Sequence, residues 1–166
     1  MNLQTGDVLV ERSRGWFGAL LSAFLWPLGL RPAWQHVRVV HSDPAFVIED
    51  GEDRDEATGE FLGFRVCVNR APADLSPYEV RRPPCSRLAC LGAVALMESR
   101  LGEPYGVLSA LAFWFRRAGI PVRDLYGSTC SELAAWAFAE QGVKLSVPWW
   151  DAAPWDFREW PRAEED

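Results

Sequence analysis

Strand-type and helix-type patterns follow one another along this chain instead of alternating, and that ordering limits the folds open to it. Thr5 to Glu11 reads as a turn feeding a short strand. His36 to Val40 and Ala45 to Asp50 read as two strands joined by the turn Ser42-Asp43-Pro44, with a third from Gly63 to Val68 beyond a charged loop, Gly51 to Glu60. Pro72 to Pro84 reads as a loop rich in proline and charge. Cys85 to Leu101, Leu108 to Ala118 and a segment from Cys130 to Gln141 carry apolar residues at helical spacing, stopped by Gly102, Gly119 and Gly142. An apolar helix from Trp16 to Leu30 precedes the paired strands. The order is strand, helix, several strands, then helices. It predicts an α+β domain, with a small antiparallel sheet and helices packed to one side.

The length of 166 residues suits a single domain spanning the chain, without repeats or linkers. The net charge of −6 argues against a nucleic-acid partner, since phosphate binding needs a concentrated basic surface. The pairs Arg81-Arg82 and Arg116-Arg117 are too small to overturn this and read as solvated surface. Nine tryptophans imply a core and a cleft rich in large flat side chains. The stretch 16–30 is about fifteen residues long, short of the roughly 20 that a spanning helix needs. It is expected to be a buried helix or a lid, with peripheral lipid contact as the alternative use. Residues 158–166 read as an acidic tail with a frayed end.

The four cysteines, Cys67, Cys85, Cys90 and Cys130, show neither Cys-x-x-Cys nor zinc-ligand spacing with the two histidines, so no metal site is expected, and the thiol chemistry set out below implies no organic cofactor. Without a basic N-terminal region of secretory type, and with all four thiols expected to be reduced, the sequence points to a cytoplasm-like compartment. It is silent on oligomeric state.

Cys130 stands in the run Gly127-Ser128-Thr129-Cys130-Ser131-Glu132-Leu133-Ala134-Ala135-Trp136-Ala137, at the first turn of a buried helix with Ser128 and Thr129 as N-cap residues. A helix N-terminus favours a thiolate and leaves N–H groups able to receive an oxyanion. A nucleophile there needs a base and a group to orient it. His36 opens an apolar strand, whereas His41 abuts a turn. The two fall on opposite faces by strand alternation, and His36 is the better base. If His41 pairs with Phe46 across the turn, Arg38 faces Glu49. His36 then lies diagonally from Glu49 on the same face, at roughly 7–8 Å between backbones. Glu49 is the expected orienter, unless Arg38 takes it as a plain salt bridge. Cys67 and Cys90 read as small buried hydrophobes.

These segments together resemble the circularly permuted NlpC-type papain-like cysteine peptidases and amidases, the YiiX-like group. Gly6-Asp7-Val8-Leu9 resembles that family's opening Gly-Asp-Ile/Val-Leu strand, and Gln35-His36-Val37-Arg38-Val39-Val40 its Ser-His-Val-Gly-Ile-Val strand. Gly102-Glu103-Pro104-Tyr105-Gly106 resembles its Pro-Tyr-Asp segment, and Cys130-Ser131-Glu132-Leu133 its Cys-Ser-Glu-Leu helix. Ala153-Pro154-Trp155-Asp156-Phe157 is similar, more loosely, to its Thr-Pro-x-Asp-Leu ending. Histidine before cysteine is also the order of lecithin:retinol acyltransferase-like proteins. The resemblance implies a permuted papain-like fold, with Cys130 as nucleophile, His36 as base, Glu49 as the acidic partner and Tyr105 as an oxyanion or pocket residue.

Arg38 stands where the family has glycine, and is expected either to lower the basicity of His36 or to draw Glu49 away from it. Gly106 and Gln35 are further departures. The activity implied is thiol hydrolysis of an amide or ester, on a cell-wall-type peptide or a small amino-acid or lipid amide. The alternatives are a lipid acyltransferase and an inactive binding or assembly module of the same fold. Trp34, Trp149, Trp150 and the 16–30 stretch favour a partly hydrophobic substrate pocket.

Overall fold

A computed structural model describes residues 2–12, 34–55, 58–106, 116, 119–120 and 128–163. The 16–30 stretch, the expected 108–118 helix apart from Arg116, and the terminal 164–166 lie outside the described residues. Five strands, β1 (Val8–Arg12), β2 (Trp34–Val40), β3 (Phe46–Arg54), β4 (Phe61–Arg70) and β5 (Tyr78–Arg81), form one antiparallel sheet in the order β4-β3-β2-β1-β5. Two helices follow, α1 (Arg87–Glu98) and α2 (Cys130–Glu140), and then two 3₁₀ turns at Trp149–Asp151 and Pro154–Glu159. The described chain is thus an α+β fold.

Strand alternation divides the core. Val8, Val10, Val37, Val39, Ile48 and Val66 point to the helices, against Cys90, Val94 and Met97 of α1 and Leu133, Ala134 and Phe138 of α2. Leu9, Val40, Val47 and Val80 point the other way and are covered by Leu3, Leu75 and Ala163. Ser86 caps α1 by accepting from the Ala89 N–H at 3.3 Å. Gly6 has φ 84°, and a Cβ there would come within 2.6 Å of the Cys90 Cβ, so only glycine lets β1's approach pack on α1.

Four expectations are corrected. The charged loop 51–60 is largely strand: β3 runs on to Arg54 and pairs back to Phe61, with Asp53 and Arg65 bridged at 3.0 Å. The proline-rich 72–84 segment holds β5, a short edge strand whose flanking prolines fall outside the ladder with β1. The tail expected from 158 is docked through Ala163. Trp160 and Ala163 are buried, and the N–H of Ala163 and of Arg82 reach the Val80 and Pro161 carbonyls.

Of the arginine pairs, Arg81, Arg82 and Arg116 are not solvated surface either, and Arg117 lies outside the described residues. Arg81 is buried against Glu79 and donates to the Trp160 carbonyl at 3.1 Å. Arg116 bridges Asp151 at 2.8 Å and Glu132 at 3.4 Å. Residues 161–163 therefore cover the β5 edge, and residues 102–105 cover part of the β4 edge through Gly102, Glu103 and Tyr105.

Candidate active site

The turn at 42–45 sets the geometry from which the site is built. The His41 N–H bonds the Phe46 carbonyl at 3.1 Å, and Arg38 stands opposite Glu49 in the β2–β3 ladder. Alternation then places His36, Arg38 and Glu49 on one face. The imidazole Nε2–H of His36 donates to Glu49 Oε2. Glu49 also accepts from Arg38 Nε at 2.8 Å and, on its other oxygen, from Asn69 Nδ2 at 2.9 Å. Arg38 in turn donates to the Tyr78 hydroxyl and lies over that ring. Arg38 does bind Glu49, but alongside His36 and not in its place.

Cys130 is the first residue of α2. Thr129 is the N-cap: its hydroxyl accepts from the Glu132 N–H at 3.4 Å, and Glu132 Oε2 accepts from the Thr129 N–H at 2.9 Å. This reciprocal capping box fixes the first turn and leaves the Cys130 N–H without an intrahelical acceptor. Glu132 is thereby a structural cap, tied further to Arg116.

Cys130 lies close enough to the His36 side chain for its charge and hydrogen bonding to act on the imidazole. With Nε2 occupied by Glu49, the nitrogen left for the thiol is Nδ1. Burial alone would lower the His36 pKa, but the charge and hydrogen bond of Cys130, then those of Glu49, outweigh it and raise it to about 10. Glu49 shows the mirror effect. Burial would raise its carboxyl, yet the His36 hydrogen bond and charge, with Arg38 and Asn69, hold it down at about 2. His36 is therefore flanked by Cys130 and Glu49, both of which favour its imidazolium form.

A cleft of about 770 Å³ opens on His36 and Glu49. Its described lining includes His36, Glu49, Asp50, Phe64, Asn69 and Tyr105, together with Arg38, Arg54 and Arg70. Tyr105 is held there by its N–H on the Phe64 carbonyl at 3.0 Å, and the Gly106 N–H on the Ser128 carbonyl ties the same segment to the start of α2. Burial, then the charges of Cys130, Asp50 and Glu132, push the Tyr105 hydroxyl above its ordinary range, so it stays a phenol and a donor.

The other expected residues fall elsewhere. His41 pairs with Glu98 of α1 at 2.6 Å and accepts from the Asp43 N–H, a turn role away from the thiol. Trp149 does not line the His36 cleft. It packs edge-on against Trp150 and lines a groove of about 250 Å³ with Trp136, Leu133 and Arg100, because the 3₁₀ turn at 149–151 sets it on the far flank of α2. The backbone of Trp34 belongs to β2, but its side chain lies outside the described residues.

Three residues of the site were not anticipated. Asn69 reaches Glu49 from β4, where Asn69 stands opposite Val47 and so diagonal to Glu49. Gly51 lies under the pair, and a Cβ there would stand 3.3 Å from Glu49 Oε2 and 3.5 Å from His36 Cε1. A glycine inside a strand is a readable sign of such close approach. The third, Asp50, is fully buried and lines the cleft. Among the described residues no group of three or more histidine, cysteine and acidic side chains is arranged to hold a metal ion. Comparisons of this chain with protein-family models, with curated proteins and with solved structures find no match.

Proposed function

We propose that the protein is a thiol hydrolase of the permuted papain-like kind, acting on an amide or ester through an acyl-enzyme. The observation that carries this reading is a cleft lined by His36 and Glu49, with Glu49 bound to His36 and the Cys130 thiol, at a helix N-terminus, acting on the same imidazole. The thiolate attacks the substrate carbonyl carbon, forming the S–C bond as the carbonyl electrons move to oxygen. The Cys130 N–H and the Tyr105 hydroxyl stabilise that oxygen. The His36 imidazolium gives its proton to the leaving amine or alcohol as the bond to it breaks. The neutral imidazole then takes a proton from the incoming water, which releases the acid and restores the thiol group. Glu49 holds the ring and offsets its positive charge. A peptide or acyl-amide substrate suits a cleft whose walls mix arginines, carboxylates and the aromatic rings of Phe64 and Tyr105.

Iodoacetamide labelling, read residue by residue by mass spectrometry between pH 5 and 9, tests this with internal controls. Cys67, Cys90 and Cys130 are 5%, 6% and 5% exposed, so accessibility does not separate them. Burial pushes the Cys67 and Cys90 thiols up to about 12, and only Cys130 touches an imidazole. Cys130 should be labelled at least tenfold faster than either at pH 6, about 1.4 kcal/mol or more of difference, and His36→Ala should abolish the gap. Equal labelling of the three cysteines, indifferent to His36, would instead identify a binding module without catalysis.

A further inference from the structure

Among the described residues, five acidic side chains are buried: Asp7, Glu49, Asp50, Glu79 and Glu132. Four have an arginine on them, Arg82 on Asp7, Arg38 on Glu49, Arg81 on Glu79 and Arg116 on Glu132. Asp50 has no such bridge among the described residues. It is fully buried, its Oδ2 accepts from the Ser128 hydroxyl at 3.3 Å, and its Oδ1 has no hydrogen-bond partner. A buried carboxylate with one bare oxygen and no cation of its own is costly as an anion. The group able to compensate it, His36, is already committed to Glu49 and Cys130.

Its location turns this oddity into chemistry. Strand alternation sends Asp50 to the face opposite Glu49, toward the residue that precedes the α2 cap. Asp50 lines the same cleft as His36 and Tyr105, and the Tyr105 hydroxyl feels both the Asp50 and the Cys130 charges. We propose that Asp50 works as a neutral carboxylic acid, its Oδ1–H donating a hydrogen bond to the substrate carbonyl oxygen as Cys130 attacks. The proton stays on Asp50; it stabilises the developing oxyanion beside the Cys130 N–H, and the leaving group still receives its proton from His36. The substrate carbonyl oxygen would then be the partner that the bare Oδ1 lacks. This inference rests on the thiol-hydrolase reading and adds a donor to it.

The surroundings agree. Burial chiefly raises the Asp50 carboxyl, to about 7; the Ser128 hydrogen bond and the His36 charge oppose that, and Glu132 and Glu103 add to it. Among the described residues, the charged and titratable groups that act on it include His36 from β2, Cys67 from β4, Glu103 and Tyr105 from the segment after α1, and Glu132 from α2.

Two reactions of the same thiol separate the possibilities. Alkylation by iodoacetamide displaces iodide and forms no carbonyl oxyanion, whereas acylation by p-nitrophenyl acetate does. In Asp50→Ala, acylation of Cys130 at pH 6 should fall about a hundredfold, with alkylation changed no more than about twofold. Asp50→Asn, which keeps a neutral donor, should recover most of that loss. In the unsubstituted protein the ratio of acylation to alkylation should drop as pH rises through the neutral range, and Asp50→Asn should flatten that drop. The proposal is overturned if acylation and alkylation change in parallel, or if Asp50→Asn is as impaired as Asp50→Ala, which would mark a working carboxylate. If Asp50→Ala does not fold, Asp50→Asn and the pH profile decide alone. Ordinary alkylation of Cys130 in every form would bring down the underlying hydrolase reading instead.

Discussion

Two buried glutamates, Glu49 on β3 and Glu79 on β5, are almost equally hidden and are both held ionised near pKa 2, yet they serve opposite ends. Glu79 is surrounded by guanidinium groups: Arg81, Arg158 at 3.0 Å, Arg162 at 3.1 Å and Arg12 at 3.4 Å. Arginine does not lose its proton in the working range, so this cluster stores no chemistry. It pins the C-terminal segment onto the edge strand. Glu49 has one arginine, one amide and one histidine, and the histidine touches a thiol. Exchanging guanidinium groups for an imidazole puts a group able to release its proton beside a thiol.

The sharpest way to break that comparison is to remove the same charge from each cluster. Glu79→Gln leaves buried Arg81 uncompensated and should cost about 3–5 kcal/mol in urea unfolding, with the Cys130 alkylation rate of the folded fraction within twofold. Glu49→Gln should lower that alkylation rate about a hundredfold while costing less stability, since Arg38 keeps Tyr78 and Glu11. Matching losses in both variants would mean that the two sites are of one kind.

Next in size, Gly51→Val should reduce Cys130 reactivity about tenfold, because even the first added carbon meets Glu49 and His36 at 3.3–3.5 Å. The thermal midpoint should move little, since the crowded groups are side chains at a cleft.

The pH dependence of stability sharpens the contrast further. Glu49 and Glu79 are both depressed from 4.5 to about 2, so their contributions are present above about pH 4.5 and are lost as pH falls toward 2. His36 is raised from 6.5 to about 10, so its contribution is complete below about pH 6.5 and is lost as pH rises through 10. His36→Ala should remove an alkaline fall of a few degrees in thermal midpoint, which Glu79→Gln retains.

The smallest effect is expected of Arg38→Met, which keeps the aliphatic packing and removes the charge shared on Glu49. Alkylation at pH 7 should change by no more than about threefold, in contrast with Glu49→Gln.

What was legible in the chain follows from what is local. The β2–β3 turn is short and the alternation on either side is clear, so Arg38 opposite Glu49, and His36 beside it, followed from period two alone. The α2 start was legible for the same reason, with the cap, the acid three residues on and the glycine stop all within one stretch. β5 was not, because Tyr78-Glu79-Val80-Arg81 alternates charge with bulk between prolines and reads as exposed loop until Arg158 and Arg162 arrive from the far end. Asp50 carries no such local sign, since it stands beside Glu49 at the end of an apolar run. Alternation does place Asp50 on the other face, but what waits there, Ser128 and the foot of α2, comes from distant sequence. Trp149 was misplaced because an aromatic residue carries no direction until the turn holding it is known.

The division of the site between a hairpin and a distant helix has a consequence in time. His36, Glu49 and Asn69 lie on three successive antiparallel strands and can come together by local zippering, while Cys130 reaches them only when α2 docks across a long loop closure. On that order His36 would be in place first and the Cys130 thiol last. A half-folded chain would thus carry four chemically ordinary cysteines, safe from premature alkylation or stray acyl transfer, and the onset of Cys130 reactivity would mark the moment at which folding is complete.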